Sequence, residues 1–130
     1  MKVSIIDTFD FKGEEIIKAK NNVRIIDNFP TTVLVVFSVK LCNLFLSKYD
    51  AIKIGALSAG GQKLPIYQFE YKGIKMGFFN TVLGGAASAA LLEELIALGA
   101  EKLLYFGSCG ALCKEIAAQS HFLCDAGFRS

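Results

Sequence analysis

No run of lysine or arginine stands out anywhere in this chain, whose 14 basic and 12 acidic residues leave a net charge of +2. A nucleic-acid-binding domain needs a basic stripe to neutralise phosphates, so this balance argues against one. Histidine is nearly absent, His121 being the only one. The four cysteines, Cys42, Cys109, Cys113 and Cys124, contain no Cys-x-x-Cys pair. A zinc site needs convergent Cys and His ligands at workable spacing, and none can be drawn here, so no metal is expected. The cysteines are also too sparse for a secreted disulfide scaffold and read as reduced thiols of a cytoplasmic protein. No apolar stretch approaches the ~20 residues that span a bilayer. The longest, Leu83 to Leu92, is rich in Gly and Ala and ends at Glu93-Glu94. The start, Met1-Lys2-Val3-Ser4, lacks the basic end and apolar core of a signal peptide. Neither a membrane nor a nucleic acid is expected as a partner.

What the chain has in excess is apolar side chains. Hydrophobic residues make up 53% of its 130 positions, and mean hydropathy is +0.45. The length suits one domain with a real core, residues 1–130 taken together. The apolar surplus points to buried strands, and to some surface that meets a partner chain or a missing segment.

Thr32 to Ser38 is β-branched and almost wholly apolar without alternation, the pattern of a strand covered on both faces. Ser38 is placed to cap a helix from Val39 to Tyr49, whose Leu41, Leu44 and Phe45 fall near helical spacing. Ala51 to Leu57 reads as a strand and Ser58 to Gly61 as a loop. Ile66 to Tyr71, Lys72-Gly73 and Ile74 to Phe79 read as a β-hairpin, with Gly73 where a tight turn wants positive φ. A loop from Asn80 to Gly85 leads into a helix from about Ala86 to Leu98, which Gly99 ends. Lys102 to Phe106 is a further strand that runs into Gly107-Ser108-Cys109-Gly110. Strand, loop, helix and strand in this order make a βαβ unit. The expected fold is α/β, three-layered, around a mixed and largely parallel sheet. The first 31 residues are less regular, with a helical turn or two expected in Glu14 to Lys20.

Glycine-containing turns flank the Ala86–Leu98 helix, and ligands of open α/β sheets bind outside the carboxyl ends of strands. Gly84 and Gly85 allow close backbone approach and open a helix whose amino end favours anions. Gly107 to Gly110 is a candidate anion nest beside the Ser108 hydroxyl, and Thr81 adds another hydroxyl. A Gly-Gly pair before a helix is by itself more often a packing device, and the dinucleotide fingerprint Gly-x-Gly-x-x-Gly is absent.

The combination is more specific than its parts. Thr81-Val82-Leu83-Gly84-Gly85-Ala86-Ala87-Ser88, Glu94-Leu95, Leu98-Gly99-Ala100 and Phe106-Gly107-Ser108-Cys109-Gly110-Ala111-Leu112 resemble, in order and spacing, the nucleoside phosphorylase superfamily. The likeness is strongest from Thr81 to Leu112, weaker back to Thr32, and lost in the tail from Cys113 to Ser130. It implies the amino-terminal half of an enzyme that cleaves the N-glycosidic bond of a purine or pyrimidine nucleoside. Phosphate is the co-substrate in phosphorylases, water is the nucleophile in the related nucleosidases, and no other cofactor is implied. By the same resemblance Ser108 contacts phosphate and ribose, with Thr81, Leu83, Gly84 and Gly85 shaping that side. Cys109 and Gly110 lie beside the base, and a homo-oligomer is implied. No catalytic acid can be assigned.

The pattern also departs from the family. Its Gly-Asp-Pro-x-x-Arg-like phosphate loop is absent, and Tyr105 stands where an arginine commonly precedes the Ser108 position. Tyrosine does not replace a bidentate cation on phosphate. Hydrolysis without phosphate, and a non-catalytic remnant or nucleoside-binding module, therefore stand as alternatives. His121, Cys113 and Cys124 carry no chemical signal, Phe37, Phe45, Phe69, Phe78, Phe79 and Phe106 read as core, and Glu93-Glu94 as a solvated helix face.

Overall fold

The β-branched run near the middle of the first half forms the strand that organises the molecule. In the computed structural model, which describes residues 12–110 and 121–123, strand β1 is Thr32–Val36. Val33, Val35 and Val36 are all buried, as a strand covered on both faces requires. Around it the described elements run α1 (Ala19–Asn22), β1, α2 (Val39–Lys48), β2 (Ile52–Ala59), β3 (Gln62–Tyr71), β4 (Ile74–Asn80), α3 (Gly85–Leu98) and β5 (Lys102–Phe106). The strands form one five-stranded sheet in the order β2-β3-β4-β1-β5. Strands β4 and β5 both run parallel to β1. The pairings β2·β3 and β3·β4 are antiparallel. The mixed sheet is as expected, with its parallel part confined to β4-β1-β5.

Three layers result. On one face Leu91, Leu95 and Leu98 of α3 pack on Val33, Val35, Leu57, Ile66 and Phe79. On the other, Cys42 of α2 joins Val36, Phe69 and Phe78. There Phe45 stacks on Phe78 with ring centroids 4.1 Å apart and meets Phe69 edge-on at 4.7 Å. Aromatic side chains dominate this half of the core because each buries a large apolar area.

Local chemistry sets the boundaries. The Ser38 hydroxyl accepts from the Leu41 amide at 3.3 Å and caps α2. Gly99 takes φ 117° and stops α3. Its amide donates to the Ile96 carbonyl and the Ala100 amide to that of Leu95, the paired bonds of a Schellman ending. The segment from Ser58 to Gly61, expected as a loop, is instead the end of β2 and a tight hairpin closed by Ala59 and Gln62. Both Gly60 and Gly61 have positive φ, which matches the twist of the flanking strands. The short helix near the amino end falls at Ala19–Asn22, later than the Glu14–Lys20 expected. Expectations for Ala111, Leu112, Cys113 and Cys124 lie outside the described residues.

Candidate functional site

Parallel pairing fixes where a site lies. Because β4, β1 and β5 run the same way, their carboxyl ends share one edge. That edge gathers Phe37 after β1, the Thr81–Gly85 loop after β4, and the end of β5. An open cleft of about 420 Å³ lies here. Gly84, Gly85, Ser88, Ala89 and Leu92 line it from α3, with Phe37 and Tyr105 from the sheet. The Phe37 and Tyr105 rings are 5.9 Å apart. Gly107 lies under the Phe37 ring, where an added Cβ would come within 3.2 Å of it.

The loop into α3 is held from inside. Thr81 is only 3% exposed, the one buried polar residue among those described. Its amide donates to the Val36 carbonyl at 2.8 Å, which continues the β4–β1 pairing past Asn80. Its hydroxyl lies 3.5 Å from that of Ser88. Gly84 then takes φ 111° as the residue before α3, with no side-chain cap. A side chain there would be strained, so the glycine is needed for the backbone and not for want of space. No acidic residue occupies the first turn of α3, so no carboxylate of the helix itself meets the amide dipoles of its amino end.

Among the described residues, two side-chain polar atoms at this edge are buried without partners, the Asn80 Oδ1 and the Tyr105 hydroxyl. Burial pushes the Tyr105 phenol above its ordinary pKa, while the nearby Ser88 side chain pulls it partly back. That neighbour lies close enough to be felt, but not in hydrogen-bonding geometry.

The residues expected from the sequence separate into groups. Gly84 and Gly85 line the cleft. Thr81 stands behind it as a support. Leu83 is 81% exposed and is not part of the lining. Ser108, Cys109 and Gly110 are exposed beyond the end of β5. No residue from 107 to 110 takes a left-handed φ, so the alternating backbone of an anion nest is not formed there. Phe37, expected as core, is a half-buried wall of the cleft, and Phe106 is 47% exposed. Sequence reasoning did not single out Ser88, although it follows Gly84 by one helical turn. It also used Tyr105 only as a missing arginine. Its place two residues after Leu103 in a strand puts it on the α3 face, the signal that could have found it.

A second depression, of about 530 Å³, lies between Arg24–Asp27, β2 and Leu98. It is at the opposite end of α3 from Gly84. Among the described residues no group of His, Cys, Asp and Glu could hold a metal ion. No described helix is long and apolar enough to cross a membrane.

No protein-family model matches the sequence, and no curated protein matches it. Solved structures do. Uridine phosphorylase from Vibrio fischeri ES114 superposes with a TM-score of 0.58 at 21% identity, over 70% of this chain and 37% of that one. The same enzyme complexed with 6-hydroxy-1-naphthoic acid gives 0.57, also at 21% identity, over 69% and 36%. Purine nucleoside phosphorylase from Toxoplasma gondii, in complex with immucillin-H, gives 0.52 at 17% identity over 70% and 33%. The chain thus spans about a third of the length of these enzymes, and over that span it has the fold of the nucleoside phosphorylases.

Proposed function

We propose that this chain binds a purine or pyrimidine nucleoside in the cleft between β1, β5 and the start of α3, and takes part in cleaving its N-glycosidic bond. The observation that carries the reading is the position of the cleft. It lies at the carboxyl edge of the parallel strands, where α/β sheets hold ligands, in a fold shared with uridine and purine nucleoside phosphorylases. The aromatic pair Phe37 and Tyr105 offers apolar faces to a ring, and Gly84 and Gly85 let backbone approach it. Cleavage builds positive charge on the sugar and negative charge on the leaving base. The protein's work would be to orient the nucleophile and stabilise those charges. Ser108, Cys109 and Gly110 would close over the ligand from the end of β5, with Ser108 toward the sugar and Cys109 and Gly110 toward the base. Leu83 would pack on the sugar from the other side.

Phosphate is the nucleophile by analogy with the phosphorylases. One observation favours water instead, since among the described residues the cleft has no cationic side chain in its lining. Base release from a panel of purine and pyrimidine nucleosides, with and without phosphate, separates the two. Release only with phosphate supports phosphorolysis, and release without it supports hydrolysis. A folded sample that binds nucleoside and releases no base would leave a binding module, and the catalytic reading would be lost.

The chain would also associate with itself. On the edge strand β5, Leu104 is 60% exposed and lies on the same face as the exposed Phe106, an apolar strip of the kind that partners cover.

A further inference from the structure

A buried hydroxyl that makes no hydrogen bond has given up water for nothing, at a cost that only a new partner recovers. The Tyr105 hydroxyl is such a group, buried and unpartnered among the described residues. The Tyr105 side chain that carries it also lines the cleft, as Ser88 does. The Ser88 hydroxyl in turn has only the 3.5 Å approach of Thr81 on its far side. Among the described residues the cleft therefore offers hydroxyls set among Phe37, Ala89 and Leu92, and no Lys, Arg, His, Asp or Glu. An anion entering such a place exchanges part of its hydration for apolar walls and gains no counter-charge from the described lining. The amino end of α3 would offset only part of that loss, since a helix end amounts to about half a charge and Gly85 and Ala86 are open to solvent.

We infer that Tyr105, with Ser88 beside it, is a specificity-determining contact that bonds a hydroxyl or carbonyl of an uncharged ligand and sets the cleft to take a neutral nucleoside in preference to an anion. The phenol donates its proton to the ligand's oxygen and keeps a lone pair free to accept from a ligand hydroxyl. The Phe37 ring covers the ligand's apolar face. This inference rests on the nucleoside reading of the cleft and adds the chemistry of selection to it.

The test is calorimetric titration of the full 130-residue chain with uridine, with inosine and with inorganic phosphate, repeated on Tyr105→Phe and Tyr105→Arg, with the thermal midpoint of each protein recorded. The unmodified chain is expected to bind a nucleoside and to give no heat with phosphate over the same concentrations. Tyr105→Phe should weaken the nucleoside about 5-fold, the loss of one neutral hydrogen bond, without lowering the thermal midpoint. A merely structural phenol would show the reverse, a lower midpoint and unchanged affinity. Tyr105→Arg, if it stays folded, should acquire phosphate binding, and a folded variant that acquires none overturns the inference. Unchanged nucleoside affinity in Tyr105→Phe overturns it too, and leaves the nucleoside reading intact. Failure of the unmodified chain to bind any nucleoside brings down both.

Discussion

At the scale of single residues, the core and the cleft place opposite demands on aromatic rings. Phe78 is fully buried and stacked on Phe45, inside the cluster with Val36, Cys42 and Phe69. Its truncation in Phe78→Ala should cost about 3 to 5 kcal/mol, read as a lower urea midpoint with an unchanged slope. Tyr105 is different, because its ring serves the core while its hydroxyl does not. Its pKa in the folded chain is raised from 10.0 by burial. A raised phenol pKa means that the folded state resists ionisation more than the unfolded state does. The penalty is absent below about pH 10, the unfolded value, and grows as pH rises beyond it. Chemical denaturation at pH 9 and pH 11 should therefore show a smaller alkaline loss of stability in Tyr105→Phe than in the unmodified chain. An equal loss in both would mean that Tyr105 is not the group responsible. The backbone demand at Gly84 is legible in the sequence, since a positive φ before a helix depends on backbone alone. Ser108, Cys109 and Leu83 were proposed from a pattern of neighbours, and a pattern carries no information about which side chains face a cleft.

At the scale of elements, the sequence was legible wherever local chemistry decides. Strand β1 lacks alternation because it is covered twice, α2 starts where Ser38 caps it, and α3 stops where Gly99 can adopt a left-handed φ. The β2–β3 hairpin was hidden because Gly60-Gly61 reads as a loop until the register of Ala59 with Gln62 is known. The second hairpin contains a weakness of its own. Lys72 occupies a positive φ of 51°, which a residue with a Cβ adopts at a cost. Lys72→Asn should raise stability by roughly 0.5 kcal/mol, the relief of left-handed strain less the exposed contact of the Lys72 ammonium with the Tyr71 ring. A small rise in thermal midpoint would bear this out, and a fall would mean that the cation–ring contact is worth more than the strain. Gly99→Ala should act in the other direction, because φ 117° lies outside what alanine readily adopts. A loss of at least about 1 kcal/mol is expected.

At the scale of the whole molecule, strand order was not legible. Periodicity tells which segments are strands and how they are covered, while order depends on contacts between distant segments. The βαβ reading of β4, α3 and β5 was right in direction, yet the two strands do not touch, because β1 lies between them. That insertion also brings Phe37 into the cleft, which is why a residue so far from the glycine-rich motif was read as core. The apolar strip on β5 gives this scale its own prediction. In sedimentation the unmodified chain should associate as concentration rises, and Leu104→Lys should shift it toward the monomer. A concentration-independent monomer would remove the strip as a contact between copies.

The place of β1 also has a consequence for how the chain reaches its native state. The β2-β3-β4 meander can pair as soon as its short turns close, because its contacts are local. Strand β1 is made before either of its neighbours and can be zipped in only once β4 and β5 have followed it. During synthesis the most apolar strand of the sheet therefore waits for its neighbours, and its non-local docking is expected to be the slow event of folding and the interval in which the nascent chain is most exposed to misassembly.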